Sequence, residues 1–275
     1  MVVQHNLQAM NTNRQLGIIT DAQSKSTEKL SSGYKINRAA DDAAGLAISE
    51  KMRSQIRGLD RASLNAQDGI SAIQTAEGAL NEVHSMLQRM NELATQAAND
   101  TNTSSDRAKI SDELKALGSE IDRVAETTQF NTQNLLDGNF TGKQLQVGAL
   151  SGQTIAITIS AMKLSSIGIN ASILKTSNIK TNEGAGTVMS AVQSAIDKVS
   201  SQRSALGALQ NRLEHTIKNL DTTSENTSAA ESRIRDTDMA KEMVTYSKNN
   251  ILAQAGQAML AQANQSTQGV LSLLR

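Results

Sequence analysis

The sequence predicts a mainly α-helical protein, an elongated helical bundle or coiled coil formed by its N- and C-terminal segments, with a small β-hairpin region in the middle. Three observations predict it. No proline occurs in 275 residues, so nothing in the composition interrupts long helices. Apolar residues recur in paired rows seven positions apart, the pattern of a coiled-coil seam. Two Phe, two Tyr and no Trp leave the packing to Ala, Leu, Ile, Val and Met.

Residues 4 to 139 are helix-forming apart from short Gly, Asn and Ser punctuation. The strongest segment begins near Leu59. One row holds Leu59, Ala66, Ile73, Leu80, Leu87 and Ala94; the second holds Ala62, Gly69, Ala76, Val83, Met90 and Ala97. A helix from Leu59 to about Asn99 would be about 60 Å long at roughly 1.5 Å per residue. The stretch NDTNTSSD then favours a turn, with Ser104 or Ser105 capping the next helix. That helix carries Ile110, Leu114, Leu117, Ile121 and Val124 and is expected to run antiparallel to the first.

The character changes between residues 137 and 186, where glycines become frequent. Leu145 and Val147 alternate with Gln146, and Ile155, Ile157 and Ile159 with Ala156, Thr158 and Ser160. With Gly148 to Gly152 as the turn, this predicts a β-hairpin followed by a loose connection. Helical pattern returns from Thr187, with Leu206, Leu213, Leu220, Thr227 and Ile234 in one row and Leu209 and Ile217 in the other. The expected organisation is a terminal coiled-coil core domain of residues 1–55 and 231–275, a helical rod domain of 56–140 and 187–230, and a short β-rich insert over 141–186.

The composition excludes much chemistry. Lys plus Arg equals Asp plus Glu at 27 each, so no net field draws nucleic acid or an anionic membrane, and neither is expected as a partner. Cysteine is absent, which removes disulfides and thiolates. His5, His84 and His215 have no metal-ligand spacing, and neither metal nor other cofactor is expected. His84 reads as a rim position beside Val83. Asp41 and Asp42 stand where a helix dipole favours acids, Gly184 and Gly186 read as a loop before a helix, and Met86 and Met90 read as packing residues. No catalytic residue is assigned, and an enzyme is not expected. The opening MVVQHNLQAMNTNRQL lacks the basic and apolar regions of a secretory signal, and no window is apolar enough for a membrane span.

Between Lys248 and Arg275 no side chain is charged. Leu252, Ala255, Met259 and Ala263 make one helical stripe, while Gln254, Gln257, Gln262 and Gln265 occupy other faces. Without Lys or Arg on its polar face this is not a membrane-surface helix; uncharged amides suit packing against further copies of the chain, or the lumen of a tube.

The stretch LSSGYKINRAADDAAGLAISEKMRSQIRGLDRASLNAQDGISAIQTAEGALNEVHSMLQRMNELATQAAND, from Leu30 to Asp100, closely resembles the N-terminal conserved region of bacterial flagellin. NRLEHTIKNL, AAESRIRDTDMAKEM and NNILAQAGQAMLAQANQSTQGVLSLLR resemble its C-terminal counterpart. The resemblance implies a short flagellin with only the two inner conserved domains: a structural subunit that self-assembles into the flagellar filament for motility. It would be exported without a cleaved signal peptide to an extracellular filament, with terminal segments that fold when neighbouring subunits cover them. Filament-core assembly is then expected of Leu252, Ala255, Met259, Leu260, Ala263, Val270, Leu271 and Leu274.

The resemblance also implies an export chaperone at the C-terminal helix, filament cap and hook-junction proteins, and host Toll-like receptor 5. Flagellins detected by that receptor carry Q-R-x-R-E-L-A-x-Q on the first long rod helix and a Glu on the next. Here Gln88, Arg89, Glu92, Leu93, Ala94 and Gln96 match, Asn91 stands where the second Arg would be, and Glu113 holds the later position. Arg89, Leu93, Gln96 and Glu113 are the receptor-binding candidates. A hook-filament junction or coiled-coil adaptor protein, which binds partners without polymerising, is the alternative.

Overall fold

The computed structural model describes residues 6–170, 172–175 and 179–273. The chain forms two compact units, one of residues up to Gln55 together with those from Glu225 onward, the other Ile56–Ser224.

In the terminal unit, helix α1 spans Leu7–Ser32. It starts where the Asn6 side chain accepts the Ala9 N–H at 3.0 Å, and it stops at Gly33, whose φ of 76° lets its N–H return to the Lys29 carbonyl. Ala9, Thr12, Leu16, Ile19, Gln23, Ser26 and Leu30 turn inward at alternating spacings of three and four. Helix α6, Met239–Leu273, answers with Glu242, Tyr246, Asn249, Ala253, Gly256, Leu260 and Ala263 at the same spacings. Each set is a heptad seam, and α1 and α6 pack along it. The pairing is antiparallel: Asn6 reaches the Ala263 carbonyl, Leu16 lies over Gly256, and Tyr34 bridges to Asp236. Small residues at Ala9, Ser26, Ala253, Gly256 and Ala263 let the two backbones approach closely.

Two helix breaks are stitched together in this unit. The loop after α1 donates the Lys35 N–H to the Arg235 carbonyl at 2.6 Å, and Thr237 donates its N–H back to Gly33 at 2.9 Å. The Arg235 guanidinium lies 4.9 Å from the Tyr34 ring centroid and pairs with Glu50 at 2.6 Å.

Helix α2 runs Ala43–Ala97, from just after Asp41 and Asp42, where the sequence places the start of a helical stretch, through the heptad segment that begins at Leu59. The Asp42 carboxylate accepts the Gly45 N–H at 2.9 Å and so caps the helix start at which the sequence places this acid. Both heptad rows of α2 are buried from end to end. Gly69 stands in the second row because Leu145 of the hairpin crosses there and leaves no room for a Cβ.

Helix α3, Ser104–Thr127, is capped by Thr103 rather than by Ser104 or Ser105. Thr103 accepts the Asp106 N–H, and the Asp106 carboxylate accepts the Thr103 N–H and hydroxyl, a reciprocal capping box. Ile110, Leu114 and Ile121 are buried, whereas Leu117 and Val124 are half-buried and Gly118 and Ala125 fill the closest approach.

Two antiparallel hairpins follow. The first, β1 Gln129–Phe130 with β2 Gln133–Asn134, falls in a region read from the sequence as helical; Asn131 and Thr132 carry its turn at φ of 48° and 63°. The second pairs β3 Lys143–Gln146 with β4 Thr154–Ile157, in the register Leu145 opposite Ile155.

The stretch after β4 is more tightly packed than the loose connection the sequence suggested. Short helix α4, Leu164–Ile167, buries Leu164 and Ile167, and Ile169, Leu174 and Ile179 join the same core as the α2 rows. Helix α5, Asn182–Arg235, begins before Thr187 and extends the buried stripe with Ala185, Val188, Val192, Ala195 and Val199. Leu206, Leu213 and Leu220 are buried, while Thr227 and Ile234 are only half-buried. No helix among the described residues is long and apolar enough to cross a membrane.

Candidate assembly and recognition surfaces

The C-terminal assembly residues named from the sequence divide between two faces of α6. Ala263 is 4% exposed and Leu260 half-buried, on the seam against α1. Leu252 and Met259, 40% and 57% exposed, and Ala255 lie on the outer face. The predicted single stripe is therefore a boundary: its inward edge is led by Ala253 and Gly256, which hydrophobicity alone undervalues. Val270 and Leu271 fall within α6, and Leu274 lies outside the described residues.

The outer face is wider than the sequence suggested. Met239, Met243, Val244 and Ile251 are exposed on α6, and Leu7, Met10 and Ile18 on α1. Large apolar side chains scattered singly over a surface are ordinary; this many on one helix pair is more than scatter. Gln254, Gln257, Gln262 and Gln265 are exposed among them. The α1 contribution was missed because its signal is negative: Leu7, Met10 and Ile18 are the apolar residues left off the heptad seam.

The second candidate lies on α2 and α3. The Arg89 guanidinium donates through Nε and NH2 to Glu113 Oε1, at 3.2 and 3.0 Å, and through NH1 to Glu92 Oε2 at 3.0 Å. Its hydrogen bonds to Glu92 and then to Glu113 hold the guanidinium pKa above its ordinary value. Arg89 and Glu113 lie at matching distances from the turn over residues 98–103, as antiparallel neighbours must.

Buried Arg107 holds that turn by donating to the carbonyls of Lys180 and Asn99, at 2.5 and 3.2 Å, and to the Asp100 carboxylate at 2.9 Å. Gln96 is exposed on the same stretch. Leu93 is not. It is 1% exposed and belongs to the core, so it cannot be an apolar contact for a partner in this conformation. The motif fixes its place in the sequence; the shared core of the Ile56–Ser224 unit decides that it points inward.

The residues weighed for catalysis have structural roles. Asp41 accepts the backbone N–H groups of Arg38 and Asn37, at 3.0 and 3.2 Å, and these bonds, with lesser help from Lys25 and Lys29, hold its carboxyl below the usual range. His84 is half-buried with Nε2 3.0 Å from the Gln88 amide nitrogen, His215 is exposed, and His5 lies outside the described residues. Met90 is core and Met86 packs at its edge. Gly184 and Gly186 lie within the start of α5 rather than in a loop before it. Among the described residues no cluster of His, Asp and Glu is placed to hold a metal ion.

Residues 3–141 match the bacterial flagellin N-terminal helical region and residues 189–274 the bacterial flagellin C-terminal helical region. A flagellin of Halalkalibacterium halodurans is 58% identical over 275 residues, spanning all of both chains. The flagellar filament 31.3 kDa core protein of Treponema maltophilum is 49% identical over 286 residues, again across the whole of both. The crystal structure of Bacillus cereus flagellin is 31% identical and covers 61% of this chain and 94% of its own, with a TM-score of 0.48.

Proposed function

The chain belongs to the bacterial flagellin family, whose members are structural, self-polymerising components of the extracellular flagellar filament, and on that footing we propose that its terminal coiled coil is the surface through which copies associate. In this reading residues 1–55 and 231–275 are the filament-core domain, residues 56–140 and 187–230 the rod domain, and 141–186 its β-rich insert. Leu252, Ala255 and Met259 face neighbouring subunits, and Leu260 and Ala263 hold α6 on α1 so that they can.

One observation carries it. Of the twelve large apolar side chains exposed among the described residues, Leu64 and Leu150 lie in the Ile56–Ser224 unit, and the other ten lie in the terminal unit. In this reading the same exposed face of α6 is covered by an export chaperone before secretion without a cleaved signal, and meets cap and hook-junction proteins afterwards. Adding purified protein to filament seeds and viewing the product by electron microscopy tests the reading. The intact chain should elongate seeds, and a variant ending at Lys248 should not. A junction or adaptor protein would bind seed ends without elongating them.

A second role is recognition by host Toll-like receptor 5 through Arg89, Gln96 and Glu113. The exposed three-way pairing of Arg89 with Glu92 and Glu113 supports it, because it presents a fixed cation beside two carboxylates. Arg89→Ala should weaken binding of the receptor ectodomain; unchanged affinity would count against the patch.

A further inference from the structure

Methionine is unevenly placed in this chain. Met10, Met239, Met243 and Met259 are 46–63% exposed, and all four lie in the terminal unit on the outer faces of α1 and α6. In the Ile56–Ser224 unit Met90 and Met162 are buried, and Met86 and Met189 are half-buried against the core. The four exposed residues fall into two pairs, about 24 Å apart along α6 at roughly 1.5 Å per residue. Met239 and Met243 are one helical turn apart on α6. Because Asn6 meets Ala263 and Leu16 meets Gly256, Met10 and Met259 sit at one level of the antiparallel pair.

A thioether reacts with peroxide according to its exposure, and the product changes the character of the surface from apolar to polar. We propose that Met239 with Met243, and Met10 with Met259, form a peroxide-sensitive site of two separated pairs, at which oxidation of the free subunit blocks its addition to a filament. This rests on the assembly reading above. The sulfur lone pair attacks one peroxide oxygen, the O–O bond breaks, and each thioether with one hydrogen peroxide gives one sulfoxide and one water. Sulfur is oxidised by two electrons and the peroxide oxygens are reduced. The sulfoxide oxygen is a strong hydrogen-bond acceptor, so burying it between subunits without a donor opposes association. Reduction by a thiol-dependent methionine sulfoxide reductase reverses the change. Subunits already packed in a filament have the same sulfurs covered, so the site distinguishes free from assembled protein.

The test is a timed exposure of the purified full chain to hydrogen peroxide, with sulfoxides mapped by mass spectrometry and seeded elongation measured on the same samples. Met10, Met239, Met243 and Met259 should oxidise well ahead of Met90 and Met162, and elongation should slow at least tenfold. The quadruple variant Met10→Leu, Met239→Leu, Met243→Leu, Met259→Leu should keep its untreated rate after the same exposure. Treating the oxidised wild type with both methionine sulfoxide reductases, one for each sulfoxide epimer, should restore elongation, which serves as the readout if the quadruple variant itself assembles poorly. Four sulfoxides with no loss of rate would overturn the proposal, as would equal slowing of the quadruple variant or no recovery after reduction. An untreated chain that never adds to seeds would instead overturn the assembly reading, and this inference with it.

Discussion

Leu16 packs its side chain against the bare Cα of Gly256, so closely that a Cβ there would lie 3.2 Å from Leu16 Cδ1. The contact sets how near α1 and α6 approach. Gly256→Ala should be close to neutral, since a gain of about 1 kcal/mol in helix propensity is set against a small shift of the flexible Leu16 side chain. Gly256→Leu should force the helices apart and cost about 1–3 kcal/mol. Urea unfolding followed by circular dichroism separates the two outcomes; a leucine variant as stable as wild type would show that the seam is looser than drawn.

The two faces of α6 predict opposite effects from the same chemistry. Leu252→Asp with Met259→Asp should leave unfolding within about 0.5 kcal/mol of wild type, because both residues are exposed, and should abolish seeded elongation. Ala263→Asp places a carboxylate on the buried seam and should destabilise the α1–α6 pair before any assembly is attempted. Equal effects of both changes on unfolding would refute the division of the helix into an inward and an outward face.

Leu93 and Arg89 separate stability from recognition. Leu93→Ala should cost about 2–5 kcal/mol of unfolding free energy, as for other buried leucines, and any loss of receptor binding should follow the loss of folded protein. Arg89→Ala should leave denaturant unfolding nearly unchanged, since its ion pairs are exposed, while reducing affinity for the receptor ectodomain. Parallel unfolding and binding curves for the two variants decide it.

The α3 capping box gives an acid-sensitive term of known sign. Hydrogen bonds from the Thr103 hydroxyl and then the Thr103 N–H hold the Asp106 carboxyl below the usual aspartate range. A lowered folded pKa means the stabilisation is present in full above the ordinary aspartate value of about 4 and is lost as pH falls through the lower folded value. Unfolding of wild type and Asp106→Ala should therefore differ by a constant amount between about pH 5 and 8, and the difference should shrink as pH falls below the ordinary aspartate value of about 4.

The heptad rows from Leu59 to Ala97 were legible in the sequence because a period of seven survives whatever the helix packs against. The main hairpin was legible because Ile155 and Ile157 alternate with Thr154, Ala156 and Thr158 beside a glycine-bounded turn. The smaller hairpin was not: Asn131 and Thr132 adopt positive φ without a glycine to announce it. The inward face of α6 was misread for a related reason. Ala253 is buried and Gly256 half-buried on the seam because both are small, and a count of apolar residues gives more weight to Leu252 and Met259, which point outward. The family motif located Leu93 without telling that the core had already taken it.

The hydrogen bond from Asn6 to Ala263 closes a loop of 257 residues, among the most distant pairings this chain can make. Closing a loop carries an entropy cost that rises with its length, and contacts of such high order are slow to form. The seam also cannot exist until residue 263 is available, whereas the contacts from α2 to α5 need nothing beyond residue 224. The terminal unit is therefore a late-forming element, and each partly made or partly delivered chain leaves the apolar residues of α1 without their partner. Completion of the pair thus reports that the whole length between Asn6 and Ala263 has arrived.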